Sequence, residues 1–177
     1  LTPVQNDQTE GFIRAQLEAR GVPDAQVKTG GASLFLEFLA RELFPVIETE
    51  YRIHSNDRML SGFSFGGLFG LYALFHQPEL FNKYFIGSPS IHYKDQITFS
   101  YESMYAEQHT DLKAEIFMSA GSLEEETSSD VRKMQTLLLS RNYESLRLKT
   151  VVFDKEGHAS SAAAATNRAL IELFGTE

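Results

Sequence analysis

The chain has 177 residues, which suits a single domain, and 42% of them are apolar, enough to build a packed core. Lysine and arginine number 16 against 24 aspartates and glutamates, so the formal charge is −8. An acidic chain without a basic stripe argues against a nucleic-acid partner and against anionic membrane surfaces. The absence of cysteine excludes disulfides and thiolate chemistry. No apolar run could span a membrane, and the composition fits either cytoplasm or periplasm.

Residues 1–32 are predicted to form a loop-rich lead-in that holds one short helix near residues 8–20. An amphipathic helix should follow from residue 33 to about 51, with a kink or a break at Pro45. Strands and helices then alternate along the rest of the chain. Strands are predicted at 58–63, 83–87, 114–120 and 146–153, and helices at 65–75, 96–108, 125–141 and 161–174.

This alternation predicts an α/β fold, a mostly parallel sheet with helices on both faces and right-handed crossovers. Ligands of such sheets bind beyond the carboxyl ends of the strands. The segments that directly follow the strands should therefore share one edge of the molecule. They are residues 63–65, 87–90, 121–126 and 154–158.

A nucleophile motif stands at the end of the first predicted strand. The run Gly62-Phe63-Ser64-Phe65-Gly66 fits the pattern G-x-S-x-G, in which a sharp strand-to-helix turn lifts the serine hydroxyl above a sheet. The strand before Ser64 and the helix after it supply the context that the motif requires. A structural glycine-rich turn is the alternative interpretation.

A serine hydroxyl needs a general base, and His158 is the candidate because it directly follows the last strand. His92 also follows a strand and is a weaker candidate for the base. His54, His76 and His109 lie in polar turns or far from the predicted edge. The pattern therefore predicts a Ser64–His158 pair.

The acid that orients the histidine is predicted to be Glu124, three residues past the strand end at Gly121. Glu125, Asp130 and Asp154 remain alternatives, as does a Ser–His dyad that has no acid. Acidic residues at 124–126 would also favour the start of a helix through its dipole, without any catalytic role.

The backbone amide of Phe65 is expected to be one oxyanion donor, while the second donor is expected from a loop after a strand that this chain is predicted to lack. Phe63, Ser88 and His92 are expected to line the substrate pocket. Neither a metal site nor a cofactor is predicted, because no ligand spacing, P-loop or dinucleotide fingerprint occurs.

Several short runs together resemble the putative-esterase family of α/β-hydrolases, which includes esterase D and the trilactone siderophore esterases. The likeness covers about residues 28–175 and is strongest toward the siderophore-esterase-like branch. It rests on residues 29–32, 38–39, 42–48, 62–68, 73–74, 78–81, 88–90 and 156–158. The resemblance implies an α/β-hydrolase fold and carboxylic ester hydrolysis, with Ser64 as nucleophile and His158 as base.

The resemblance also implies that residues 1–177 are the C-terminal portion of an α/β-hydrolase domain whose N-terminal strands are missing. An exposed edge strand should result, to be covered by a longer parent or by a partner chain. Relatives often carry tryptophan after Ser-Pro-Ser, where this chain has Ile91-His92-Tyr93. A ferric catecholate would favour basic residues near the site, and only Lys94 and Lys155 are available, so the sequence does not support a siderophore substrate.

These observations favour a serine esterase that acts on a small-molecule carboxylic or thio ester through an acyl-enzyme, without a cofactor. An acyltransferase using the same site is the first alternative. A non-catalytic binding domain is the second, and the intact serine and histidine argue against it. The sequence leaves a homo-oligomer open.

Overall fold

The protein contains a four-stranded parallel sheet, seen in a computed structural model that describes residues 1–175. The strand order is β1-β2-β3-β4, so each strand pairs with its neighbours in the chain. The strands are β1 (Met59–Phe63), β2 (Lys83–Gly87), β3 (Ala114–Gly121) and β4 (Leu146–Phe153). Each strand prediction is confirmed to within one residue at either end.

The helices also follow the predicted order. They are α1 (Asp7–Ala19), α2 (Ala32–Phe38), α3 (Phe44–Glu50), α4 (Phe65–His76), α5 (Tyr93–Gln108), α6 (Glu125–Ser140) and α7 (Ser161–Phe174). The last four follow the four strands in turn, as expected for a sheet built from βαβ crossovers.

Helices cover both faces of the sheet, which confirms the predicted architecture. On one face α7 packs through Ala165 and Ala169 against Phe85 and Phe117. Helices α4, α5 and α6 enclose the larger core on the opposite face. That core includes Leu71, Leu74, Ile86, Ile116, Met118, Val131 and Met134. Alternate residues of β2 and β3 thus point to opposite faces, and both faces are apolar, as is usual for parallel sheets.

Helices α2 and α3 are separated by a π-helical turn over Leu39–Leu43. Where a kink or a break was predicted at Pro45, the helical run instead continues through this π-helical turn into α3, whose first turn contains Pro45. A proline has no amide hydrogen, and its ring clashes with the carbonyl group four residues earlier. The wider π-helical turn removes this conflict just before the proline.

Helix α5 begins irregularly. Lys94, Asp95 and Gln96 have positive φ values of 48°, 55° and 60°, so regular helix runs only from residue 97. Left-handed backbone is rare for residues other than glycine, and three in succession make a tight bend. The predicted start near residue 96 therefore marks the regular part of this helix.

The lead-in is held together by side-chain hydrogen bonds. The Thr29 amide donates to Glu10 Oε1 at 2.8 Å, and the Gly30 amide donates to Thr2 Oγ1 at 2.8 Å. These contacts join α1 to the segment before α2. The lead-in thus contains the expected short helix and has a defined course; its status as part of one domain stays a prediction.

Strand β1 is an edge of the sheet, since within residues 1–175 it pairs only with β2. Ser61 in its middle is exposed, and Met59 and Leu60 are only partly buried. The exposed edge strand that the sequence predicts is therefore present. In the same described range no helix is long and apolar enough to cross a membrane.

Candidate active site

The carboxyl ends of the strands lie side by side and bring the predicted site segments together. Phe63 pairs with Gly87, Gly87 with Ser119, and Gly121 with Phe153. Because the strands are parallel, the loops that leave these residues emerge at one edge of the sheet. The site residues below come from these loops.

Ser64 occupies a strained turn between β1 and α4, with φ 59° and ψ −117°. Such a conformation is unfavourable for serine and places the residue at the tip of the turn. The strand and helix pass so closely that a Cβ atom on Gly62 would overlap the Gly66 carbonyl oxygen. A Cβ atom on Gly67 would lie 2.9 Å from the Gly87 carbonyl oxygen. Glycine is therefore required on both sides of the turn.

Backbone hydrogen bonds fix the turn to its neighbours. The Ser64 amide donates to the Gly87 carbonyl at 2.9 Å, and the Leu68 amide donates to the Ser64 carbonyl at 3.0 Å. The latter is the first bond of α4, so the amide of Phe65 has no acceptor within the helix. This amide and the positive end of the helix dipole can stabilise a negative charge beside Ser64.

His158 lies beside this turn and is bound to Glu124. Its Nδ1 is 2.6 Å from Glu124 Oε1, and the imidazole ring packs against the ring of Phe63 with centroids 5.1 Å apart. The Glu124 side chain is 8% exposed, whereas that of His158 is 52% exposed. A carboxylate can only accept, so the proton of this bond belongs to Nδ1, and Nε2 remains free as an acceptor.

The other oxygen of Glu124 is also occupied. Oε2 accepts from the Gly121 amide and from the Ser88 hydroxyl, each at 2.8 Å. The loop after β3, which carries Glu124, is also bonded to the loop after β4, which carries His158. The Leu123 amide donates to the Glu156 carbonyl at 3.0 Å. The carboxylate is thus held on both oxygens by separate parts of the chain.

The alternative acids lie elsewhere. Asp130 is buried on α6, where its Oδ1 accepts from Lys133 at 2.8 Å and from Gln96 at 3.2 Å. Glu125 lies in the first turn of α6 and Asp154 is exposed after β4. Of the four acids that the sequence leaves open, Glu124 is the one bonded to His158.

A cleft of about 690 Å³ opens next to the turn that carries Ser64. Phe65 and His92 lie on one side of it, and residues 6–9 with Phe12 of α1 lie on the other. Phe12 is 64% exposed. The Tyr93 hydroxyl donates to the Val4 carbonyl at 2.7 Å and so ties the lead-in to the cleft.

The three residues predicted to line a pocket differ in position. His92 borders the cleft, and Phe63 contacts the His158 ring. Ser88 is 1% exposed, and its hydroxyl is directed at Glu124. The sequence analysis missed the Ser88–Glu124 contact and the wall that α1 contributes. Phe12 lies in the short helix that the sequence predicts, but no sequence pattern placed that helix beside the cleft.

The remaining histidines lie away from this edge. His76 ends α4 and stacks on Tyr72 with centroids 3.9 Å apart, and burial lowers the pKa of His76. His109 stacks on Tyr105, and His54 is exposed in the turn before β1. Within the described part of the chain, no group of three or more acidic or histidine residues could hold a metal ion.

A comparison with protein-family models matches residues 8–169 to the family described as "Putative esterase". The chain belongs to the putative-esterase family. This assignment confirms the family resemblance seen in the sequence.

Individual members of the family give the same picture. The chain is 31% identical to the ferri-bacillibactin esterase BesA of Bacillus subtilis over 147 residues, which are 80% of this chain and 51% of that protein. It is 42% identical over 74 residues to the siderophore enterobactin esterase of Emericella nidulans, covering 39% of this chain and 24% of the relative. The chain thus spans about half the length of BesA and less of the fungal relative.

Solved structures show the same fold. The BES protein from Bacillus cereus superposes with a TM-score of 0.75 at 30% identity, covering 85% of this chain and 60% of that structure. An IroE-like serine hydrolase from Shewanella oneidensis gives a TM-score of 0.68 at 22% identity, covering 80% and 47%. The predicted α/β-hydrolase fold is therefore confirmed for a chain that corresponds to part of these larger proteins.

Proposed function

We propose that this chain forms the catalytic part of a serine esterase that hydrolyses a carboxylic or thio ester through an acyl-enzyme. The observation that supports the proposal most is the 2.6 Å contact between His158 Nδ1 and Glu124 Oε1 beside the turn that carries Ser64. A serine, a buried carboxylate and an imidazole follow β1, β3 and β4, in that order along the sheet edge, and these are the parts of an acyl-transfer site.

In the proposed reaction the Ser64 hydroxyl oxygen attacks the ester carbonyl carbon while His158 Nε2 takes the hydroxyl proton. The tetrahedral intermediate collapses by breaking the bond to the alcohol oxygen, and His158 returns the proton to the departing alcohol. Water then attacks the acyl group on Ser64 and gives its proton to His158. The carboxylic acid leaves as Ser64 recovers the proton.

The groups around Ser64 stabilise the charges that form during this reaction. Glu124 accepts the Nδ1 proton of His158, which keeps Nε2 free to act as a base and stabilises the imidazolium when it forms. The Phe65 amide at the start of α4 is the proposed donor to the oxyanion. Residues of the cleft, among them Phe12 and His92, would contact the acyl or alcohol portion.

Siderophore esters are the proposed substrate class. The sequence alone does not favour this class, but the names of BesA and of the Emericella nidulans relative refer to ferri-bacillibactin and enterobactin. Against a strongly anionic ligand, the cleft offers few basic groups, with Lys94 at its border and Lys155 after β4. The iron-free ester is therefore expected to be preferred over its anionic ferric complex.

The first test is intact-mass analysis after treatment with a fluorophosphonate, on this chain and on Ser64→Ala. One adduct on the wild-type chain and none on the variant is expected, because only an activated serine reacts rapidly. A panel of p-nitrophenyl esters and siderophore trilactones would follow, with and without iron.

The other outcomes separate the alternatives. Adduct formation together with product esters of an added alcohol, in place of acid, would favour an acyltransferase. Equal labelling of the wild-type chain and Ser64→Ala would contradict the assignment of the nucleophile. Lack of any labelling on this chain, and on a longer protein that contains it, would favour a binding domain.

A further inference from the structure

We infer that Ser88 is a positioning residue that acts on catalysis through Glu124, an inference that rests on the proposed function. Its hydroxyl donates to Glu124 Oε2 at 2.8 Å, while His158 occupies Oε1 at 2.6 Å. Ser88 is 1% exposed, so its hydroxyl is enclosed between the strand ends, away from the cleft. The structure therefore favours support of the acid over contact with substrate.

The backbone of Ser88 is held in an unusual conformation. Its φ of 36° lies in the left-handed region, which is unfavourable for residues other than glycine. The Ser88 amide donates to the Ser119 carbonyl at 2.8 Å, which continues the pairing of β2 with β3. Such strain persists only where surrounding contacts fix the residue, and here it directs the hydroxyl at the carboxylate.

The turn that contains Ser88 contacts both halves of the site. The Ser64 amide donates to the Gly87 carbonyl at 2.9 Å, and the Ser90 amide donates to the Ser64 carbonyl at 3.3 Å. Between these two contacts the Ser88 hydroxyl reaches the acid. Residues 87–90 therefore set the position of the nucleophile turn relative to the Glu124–His158 pair.

Loss of the hydroxyl would leave Glu124 Oε2 with the Gly121 amide as its hydrogen-bond donor. The hydroxyl of Ser161 lies 3.5 Å from the Ser88 oxygen, too far to replace the lost donor. Hydrogen bonds to charged groups are stronger than neutral ones, and a carboxylate that loses one can turn about its side-chain bonds. His158 would follow, because its Nδ1 proton is bound to the same carboxylate.

The test combines two substitutions of Ser88 with a matched control. Ser88→Ala removes the donor, and Ser88→Gly removes it while relieving the positive φ. Ser119→Ala is the control, because Ser119 is equally buried at the neighbouring strand end and its hydroxyl has no partner among the described residues. Each is made in the wild-type chain and in Glu124→Ala, and kcat and KM for a p-nitrophenyl ester are measured.

Both Ser88 variants should lower kcat about tenfold in the wild-type background and change KM less than about twofold. In Glu124→Ala the same substitutions should change kcat less than about twofold, since the group that Ser88 positions is gone. Ser119→Ala should have little effect in either background. Equal losses in both backgrounds, or full activity of Ser88→Gly, would overturn the inference.

A second readout does not depend on turnover. The Nδ1 proton of His158 should give a downfield proton resonance that disappears in Glu124→Ala. Ser88→Ala and Ser88→Gly should shift or broaden this resonance, and Ser119→Ala should leave it in place. If the wild-type chain neither labels nor hydrolyses esters, the proposed function fails, while this resonance still decides whether Ser88 positions the acid. An unchanged resonance in both Ser88 variants would overturn the inference.

Discussion

Single residues at the end of β1 show how local sterics create the site. Ser64 is held at a positive φ because the strand and the helix meet at a sharp angle, and two glycines permit the close approach. The motif has another glycine, Gly66, around which a Cβ atom would meet nothing within 4 Å. The three glycines of the turn are therefore not equivalent.

Gly62→Ala should destabilise the protein by roughly 1–3 kcal/mol, because the new methyl group would overlap the carbonyl of Gly66. Gly66→Ala is the matched control and should change the free energy of unfolding by less than about 1 kcal/mol. Urea denaturation of both variants checks the difference. Equal midpoints would mean that the turn adjusts more easily than its geometry indicates.

An ion pair with one buried partner provides a second residue-scale prediction. Glu102 on α5 is 0% exposed, and Arg141 binds both of its oxygens, at 2.8 and 2.7 Å. Arg141→Met would leave a buried carboxylate unpaired and should destabilise the protein by roughly 3 kcal/mol. Arg168→Met, at an exposed pair 3.9 Å from Glu172, should cost less than about 1 kcal/mol. Thermal denaturation of the two variants should separate them clearly; similar melting temperatures would contradict this.

At the scale of elements, α1 depends on hydrogen bonds more than on packing. Its residue Glu10 is buried and accepts from both the amide and the hydroxyl of Thr29, each at 2.8 Å. The helix in turn forms one wall of the cleft through Phe12. The position of this wall should therefore respond to the charge of Glu10.

Hydrogen bonds from Thr29 hold the pKa of Glu10 below its ordinary value, and Arg14 and Lys28 act in the same direction. The stabilisation is present above the ordinary glutamate pKa and is lost as pH falls through the lowered value. The Thr29 amide resonance, followed by NMR on acidification, should report this loss. In Glu10→Gln the pH dependence of that resonance should vanish; if it persists, another group is responsible.

At the scale of the whole molecule, β1, the strand that leads to Ser64, pairs on one side only within residues 1–175. Unpaired strand edges pair with other chains unless they are covered or carry charge, and Ser61 in the middle of β1 is neutral and exposed. The exposed apolar side chains of the preceding helices, Leu34, Phe38 and Val46, add to the tendency to associate. Association of this chain would therefore begin near the strand that leads to Ser64.

The chain in isolation should self-associate in a concentration-dependent way, and Ser61→Lys should weaken the association. Sedimentation velocity over a range of concentrations measures both effects. Ser145→Lys, in the exposed turn before β4, is the control for added charge and should leave the association unchanged. A monomer at all concentrations would show that the edge is already protected.

Much of this protein follows from its sequence. The alternation of apolar runs with helical periodicity determined the parallel sheet, because side-chain burial repeats every two residues in a strand and every 3.6 in a helix. The glycine spacing around Ser64 and the place of His158 after the last strand predicted where the site would lie. Pro45 predicted an irregularity in the helix, which is a π-helical turn just before it, since the conflict between a proline ring and a helix is local.

Other features needed the tertiary structure. Four acids followed or lay near the right strands, and only the fold brings Glu124 to 2.6 Å from His158 while Asp130 turns into the protein toward Gln96 and Lys133. Ser88 and Glu124 are 36 residues apart, and their contact arises because β2 and β3 end side by side. Sequence patterns determine local conformation and the face of each element. The partner of a polar side chain depends on which distant segments the sheet places side by side. Only the tertiary structure decides that arrangement.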